Sequence, residues 1–321
     1  MFTAAARQSQ QLALTFGRWV FNDAAFVDGI DEDRRDGVDW LRAVPFMLIH
    51  LACGFVVVVG VSWTALLVAL MAYLVRMFAI TGFYHRYFSH RSFEVSRAMR
   101  LAMGILGCTA GQRGPLWWAG HHREHHAKSD TAADPHSPSQ RGFLYSHTIW
   151  FLTRGNFALR TGRVRDWLRY PELVWLEKLD WLPFIGFAFA CYALGSWLEE
   201  FAPDLDTNGW QLLVWGFFIS TVVLYHATYT INSIAHGLGR RRYETPDDSR
   251  NNAWLAVITL GEGWHNNHHH YPSSARQGFY WWELDVCFLG LCLMRSLGLA
   301  RKLKTVPLDV KSSGMVKTRD T

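Results

Sequence analysis

The stretch AVPFMLIHLACGFVVVVGVSWTALLVALMAYLVRMFAITGFY, residues 43–84, decides the fold of this 321-residue chain. Its only formal charge is Arg76, and a helical pass through a hydrocarbon core takes roughly 20 apolar residues. The stretch therefore fits two passes, with Gly60 to Ser62 as the turn between spans at about 43–60 and 63–84. A second pair is read at about 181–198 and 210–234, separated by EEFAPDLDTNG, which has four acidic residues and no Lys or Arg. By contrast, residues 85–180 carry fourteen Lys and Arg, and Arg240, Arg241 and Arg242 follow the fourth span. Basic residues gather on the cytoplasmic side of a membrane, so both termini and the segments 85–180 and 235–300 are expected there, with two short turns outside.

Around this frame, residues 1–42 read as a peripheral segment. In it QLALTFGRWVF is expected to lie in the interface and DGIDEDRRDGVD to form a charged loop. No apolar core opens this segment, so no cleavable signal peptide is expected. Residues 43–300 form one membrane domain, with Leu101–Ala110 too short to span and an apolar helix near Leu284–Leu299. The tail 301–321 is polar, lacks apolar periodicity and is expected to be loosely ordered. The net charge of +5 suits a face lying against anionic lipid, and no aromatic-and-basic motif argues for nucleic acid. Of the sixteen Trp, Trp117, Trp118, Trp175, Trp181, Trp197, Trp210, Trp281 and Trp282 fall near the expected membrane borders, where amphipathic rings settle. The five cysteines are scattered through apolar stretches without zinc-site spacing and read as small buried hydrophobes.

Ten of the fifteen histidines fall in three clusters: HRYFSH at 85–90, HHREHH at 121–126 and HNNHHH at 265–270. All lie on one side of the membrane in the topology above. At about 100° per residue, His122, His125 and His126 share one helix face, as do His265, His268 and His269. His85 and His90 would stand about 140° apart on an ideal helix, gripping opposite sides of a site or serving two metals. His236, in NSIAH, joins them just past the fourth span, with Asn232 one turn earlier on the same face. Nine imidazoles exceed what a single ion uses, so two ions are implied. Iron suits imidazole ligands and redox chemistry, while ligand type alone leaves zinc, manganese and copper open. His121 and His270 point away from the ligand faces and read as outer or surface residues, and His50, His136, His147 and His226 stand alone. Glu124, Asp130, Asp134 and Glu262 default to solvated positions, with one or two of them orienting imidazoles through the second ring nitrogen. The fold class read from all this is an all-α integral membrane protein. Four transmembrane helices in two hairpins would carry a cytoplasmic helical cap with a histidine-rich di-metal site.

The order HxxxxH, HxxHH, NSxxH and GEGWHNNHH around two membrane hairpins resembles the membrane-bound fatty acid desaturases, particularly the acyl-CoA Δ9 branch, over roughly residues 43–300. The resemblance implies an O2-dependent enzyme that introduces a cis double bond, Δ9 by analogy, into a saturated long-chain acyl substrate. It implies two iron ions and two electrons from a separate ferredoxin or cytochrome b5 type donor. The ligands it implies are His85, His90, His122, His125, His126, His236, His265, His268 and His269, with Asn232 reaching one iron through water. It places a bent substrate tunnel near Gln112 and Trp118 and its end near Tyr73 or Ala69. Where animal acyl-CoA members have an Arg-Asp pair, this chain has Gly120 and His121. Besides acyl-CoA, acyl carrier protein and an intact lipid therefore stay open as carriers. A hydroxylase of the same fold would use the same ligands but add oxygen. A metal transporter or haem-anchoring subunit would need ionisable residues at mid-membrane, and only Arg76, His50 and His226 approach such positions.

Overall fold

The computed structural model describes residues 21–22 and 36–316. QLALTFGRWVF up to its last residue, and most of DGIDEDRRDGVD, lie outside them. The main helices are α1 (Trp40–Val59), α2 (Trp63–Ser89), α3 (Arg97–Cys108), α4 (Pro115–Lys128), α5 (Pro171–Lys178), α6 (Trp181–Phe201), α7 (Gly209–Ser233), α8 (Ala253–Ile258), α9 (His265–His270) and α10 (Val286–Ser296). Among the described residues there are only isolated β-bridges and no strand. Among the described residues, helices α1, α2, α6 and α7 are the four long and apolar enough to cross a membrane. Their outward faces keep Val57, Val58, Trp63, Phe189 and Phe201 exposed, as side chains facing lipid would be.

The two hairpin turns meet at one end of the bundle. Gly60, with φ +67°, reverses the chain after α1 in a conformation that favours glycine. Ser62 then caps α2 by accepting from the Ala65 amide at 3.1 Å. Across the hairpins, Thr64 Oγ1 donates to the Leu205 carbonyl at 2.7 Å and Gln211 Nε2 to that of Val59 at 3.0 Å. The histidine segments therefore all gather at the opposite end, where α2 finishes, α6 begins and α7 finishes.

Arg76 is buried inside the bundle, and among the described residues no carboxylate pairs with it. Its guanidinium donates to Thr221 Oγ1 (2.7 Å), Ser220 Oγ (2.5 Å) and the Thr109 carbonyl (3.3 Å), and it lies 4.5 Å from the Phe187 ring centroid. Neutral acceptors from α7 and the loop after α3 thus take the place of water around a charge that apolar surroundings alone would not tolerate.

From Ala79 to Ser89 α2 continues as a π-helix. Beyond it the chain builds a cap in which α4 packs on the π-helical segment. Helix α4 starts at Pro115, whose missing N–H is no loss at the first helical position. Its next amide, Leu116, donates to the buried Glu177 carboxylate of α5 at 2.8 Å. Two sequence expectations change here. Trp117 is buried, with Nε1 donating to the Asn156 carbonyl, and Trp118 is turned into the site rather than toward a membrane border. The segment from Arg301 to Met315 is tied to the cap by backbone bonds, including Lys304 to Ser92 and Ala275 to Lys304, which apolar periodicity does not report.

Candidate metal centre

Four chain segments bring nine imidazoles together in two groups. His85, His90, His122, His126 and His268 form one; His125, His236, His265 and His269 form the other; within each, the ligand atoms lie within 4.8 Å of one another. The HxxHH spacing of α4 divides between them, His122 and His126 facing the first group and His125 the second. Helix α9 divides in the same way, with His268 against His265 and His269.

His85 and His90 enter the same group, contrary to the separation an ideal α-helix gives. The π-helical turn is the reason: the His90 amide donates to the His85 carbonyl at 3.2 Å, an i to i+5 bond, and the wider turn returns position i+5 to nearly the same side. Their ring centroids are 4.9 Å apart.

In the five-histidine group, Nε2 atoms approach one another throughout: His85 to His268 at 3.0 Å, His268 to His126 at 2.9 Å, His126 to His122 at 3.0 Å and His122 to His90 at 2.8 Å. Five neutral imidazoles converging through the same nitrogen cannot satisfy one another with hydrogen bonds, but they can share a cation. Burial is the first cause that pushes His90, His122, His126 and His268 well below the ordinary histidine range, with neighbouring imidazoles adding to it. In the four-histidine group, His125 Nε2 and His269 Nε2 are buried without a partner, while His236 Nε2 and His265 Nε2 stand 3.0 Å apart. The donor set fits two metal ions of the kind that accept neutral imidazole.

Carboxylates hold the other ring nitrogen of four histidines. Glu262 pairs with His85 Nδ1, Asp134 with His125 Nδ1 at 2.9 Å, Asp130 with His236 Nδ1 at 2.8 Å and Asp247 with His269 Nδ1 at 2.7 Å. An Nδ1–H donated to a carboxylate leaves Nε2 with its lone pair toward the centre. Burial would raise the acids, yet their histidines, joined by Arg86 at Glu262 and by amide and hydroxyl donors at the aspartates, hold Asp130, Asp134, Asp247 and Glu262 below the usual carboxylate range. For His269, burial wins over Asp247 and lowers it to about 4, whereas at His125 burial is opposed by Asp134 together with Asp130 and Asp247, which raise it.

Asp130, Asp134 and Glu262, solvated by default in the sequence reading, are thus enclosed partners, because the helices they flank fold onto them. Glu124 alone of the four stays peripheral, paired with Arg163 and Lys128. Asp247 was not singled out by sequence; TPDDS at 245–249 carries no spacing signal toward a distant histidine. Arg86 was also missed. It bridges Glu262 and Asp285 at 3.2 and 2.9 Å, clamping α2 to the segments on either side of α9. The two asparagines of HNNHHH are buried locks: Asn266 Oδ1 accepts from the Arg242 and Tyr243 amides, and Asn267 Nδ2 donates to the Gln277 carbonyl and Glu283.

The other histidines separate from these groups. His121 is buried, donating through Nε2 to the Ala158 carbonyl (3.1 Å), and His270 stacks on Tyr243 at 4.0 Å. His136 lies against His125 and Asp134 and is lowered to about 3, chiefly by burial. His50, His226 and His147 are not isolated: they form a chain with spacings of 3.2 and 3.0 Å joining α1, α7 and the cap. His226 meets His50 through Nε2 and His147 through Nδ1, so this is a hydrogen-bonded chain rather than a convergent ligand set.

Above the histidines lies a cavity lined by Ile80, Thr81, Trp118, Thr228, Ile231, Asn232 and Thr259 together with His85, His122, His125, His265 and Glu262. Asn232 therefore reaches the same space as His125 and His265. Gln112 stands at its edge, donating to Thr228 Oγ1 at 2.8 Å and accepting from Trp118 Nε1 at 3.4 Å. Tyr73 and Ala69 are not among the lining residues; the Tyr73 hydroxyl is turned to the Ile258 carbonyl. The arrangement can hold an apolar chain against two metals.

Fold and site together define a helical membrane protein with a histidine-lined candidate metal centre opening into an apolar cavity. The fatty acid desaturase family model matches residues 61–288. The chain is 37% identical to the sn-2 palmitoyl-lipid 9-desaturase of Nostoc sp. (strain 36) over 84% of its length and 91% of that protein's. It is 35% identical to delta-9 acyl-lipid desaturase 1 of Arabidopsis thaliana (83% and 84%) and 36% identical to the acyl-CoA 5-desaturase AL21 of Anemone leveillei (79% and 76%). The chain belongs to the fatty acid desaturase family.

Proposed function

We propose that this chain is an O2-dependent desaturase that sets a cis double bond at Δ9 of a saturated long-chain acyl group. Its nine histidines, with Asn232 through water, would hold two iron ions, and a separate ferredoxin or cytochrome b5 type protein would supply electrons. One observation carries the reading: two convergent imidazole groups share a wall with an apolar cavity. Balanced, the acyl chain gives up two hydrogens, and O2 with two further electrons and two protons leaves as two waters.

Bound there, iron would supply the activation of dioxygen. The protein's part is positional. Ile80 and Ile231 offer an unreactive methylene chain only dispersion and exclusion of water, so selectivity rests on the shape of the cavity. Trp118 and the Gln112–Thr228 pair frame its edge, while the four carboxylates fix the tautomers of the imidazoles beneath.

For the carrier we infer an acyl chain esterified in a membrane lipid, ahead of acyl-CoA or acyl carrier protein. Relatives named as acyl-lipid 9-desaturases support it. So does the Gly120–His121 position, where His121 is buried against the Ala158 carbonyl and Gly120 faces Arg160, leaving neither side chain to contact a head group. The charge asymmetry supports a cytoplasmic cap and cytoplasmic termini, with residues 43–300 acting as one domain. Tyr73 and Ala69 remain the proposed limit on chain length.

The test is expression of the wild type and His268→Ala in a host lacking an aerobic desaturase, with fatty acid methyl esters analysed by mass. A new monounsaturated product in the wild type alone is expected. Gain of one oxygen instead of loss of two hydrogens would replace desaturation with hydroxylation.

A further inference from the structure

We propose that the surface carrying Arg91, Arg165 and Arg169 is the docking site for an acidic protein domain with a one-electron redox centre. This rests on the desaturase reading, since that reaction takes two electrons from outside the chain. Residues 154–169 hold five arginines and a single acid, Asp166. That acid is already engaged by Arg123 at 2.8 Å and Arg91 at 3.3 Å. Nearby, Glu172 is held by Arg97, and Glu124 by Arg163 and Lys128. The exposed charge left over is positive.

The surface also faces water rather than lipid. Between Leu144 and Trp175, and between Val75 and Ile105, there is no exposed large hydrophobic side chain. The α8 and α10 side differs sharply, with Trp254, Trp281, Leu289, Leu293 and Leu297 all exposed. A bilayer or a lipid-inserted partner would meet that second side. A soluble, negatively charged protein face fits the first.

Beneath the arginines runs a short route to the metal centre. Trp167 is buried, with Arg91 lying 4.5 Å over its ring, and its Nε1 donates to the Phe88 carbonyl at 2.7 Å. Arg123, the neighbour of His122, donates to the Phe88 carbonyl at 2.7 Å and the Ser89 carbonyl at 2.8 Å. His90 is the next residue. An electron arriving at the arginine surface is thus one indole and two peptide units from the five-histidine group. Two such one-electron transfers per turnover balance the reaction written above, and the oxidised donor leaves.

The experiment uses the full chain in nanodiscs with two acidic probes, a plant-type [2Fe–2S] ferredoxin and the soluble haem domain of a cytochrome b5. Binding is measured by biolayer interferometry and turnover by alkene formation, for the wild type and R165E/R169E. At about 50 mM salt, the reversal should weaken Kd and raise KM for the better donor about tenfold or more, leaving kcat within about twofold; at about 500 mM most of the difference should vanish. A single turnover, in which the protein is reduced by dithionite under argon, freed of excess reductant and then given O2, should be equal in both. Unchanged affinity in the variant, or no salt-sensitive binding of either probe to the wild type, overturns the docking site. Absence of alkene with dithionite in the wild type would sink the desaturase reading instead, and the binding data would still decide the surface. R165Q/R169Q carries the same comparison if the reversal variant does not fold.

Discussion

Replacing Glu262 by Gln removes one charge and one acceptor from a place that uses both. Glu262 is buried; one oxygen faces His85 Nδ1 and accepts from Gln277 Nε2 at 3.1 Å, and the other accepts from Arg86 Nε at 3.3 Å and Nη2 at 3.2 Å. An amide offers a single oxygen. If that oxygen turns to Arg86, the NH2 group confronts His85 Nδ1, which must then lose its proton to Nε2 and withdraw its lone pair from the five-histidine group. If it turns to His85, the NH2 group confronts the guanidinium, donor against donor. Loss of such an outer partner typically weakens metal affinity about 10–100-fold, or roughly 1.4–2.8 kcal/mol. A buried donor left without an acceptor costs about 1–3 kcal/mol of stability as well. The assay is iron per protein by elemental mass spectrometry after equilibration with graded chelator. Half-loss should occur at about 10–100-fold weaker chelation than in the wild type, whereas Glu124→Gln, at the periphery, should behave as wild type. A well-folded Glu262→Gln protein with the wild-type curve would refute the carboxylate's proposed part in holding His85.

Glu177 gives a dependence on pH. Burial, reinforced by Asp180, raises its pKa above the ordinary glutamate value of 4.5, so the folded state holds a proton that the unfolded chain releases. The native state therefore loses stability as pH climbs above that value and through the raised one, and Glu177→Gln should flatten this part of a melting-temperature profile; an unchanged slope would contradict it. Gly263→Ala should abolish recovery of folded protein on size-exclusion chromatography. Its Cβ would lie 2.1 Å from the Ala256 amide nitrogen and 2.3 Å from the Asn252 carbonyl oxygen, both backbone atoms without side-chain freedom to yield.

The hairpins were legible because a long apolar run has few physical outcomes, and the observed helix Trp63–Ser89 overruns the expected end at Tyr84 within the π-helix that starts at Ala79. That π-helix itself left no trace in the spacing. HRYFSH read with α-helical geometry puts His85 and His90 on different sides, and only the i to i+5 bond reunites them. His236 could be inferred from its place just past the fourth span, on the side where the three clusters converge. Asp247 could not, since its partner His269 is more than twenty positions away and the two are joined only by the fold. The same limit hid the chain His50–His226–His147, whose members come from three separate elements.

The pattern of carboxylates explains why so much of the cap must be in place before either histidine group is complete. Asp134 reaches a histidine of the helix it follows, but the other three acids reach across: Glu262 to α2, Asp130 to the segment after α7, and Asp247 to α9. Asp130 does more than one task, accepting from the Asp248 amide at 2.9 Å and from Ser137 Oγ at 2.7 Å. It therefore fixes the loop that carries Asp247 while it orients His236. Arg86 repeats the logic on the other group by joining Glu262 to Asp285, so the residue next to His85 also anchors the segment that leads into α10. The tautomers of His85, His236 and His269 are thus set by contacts between elements distant in sequence, and a ligand set so distributed has little affinity for metal until tertiary structure forms. Metal binding and closure of the cap are therefore expected to be coupled, while the two hairpins are held by contacts of their own, at their turns and at Arg76.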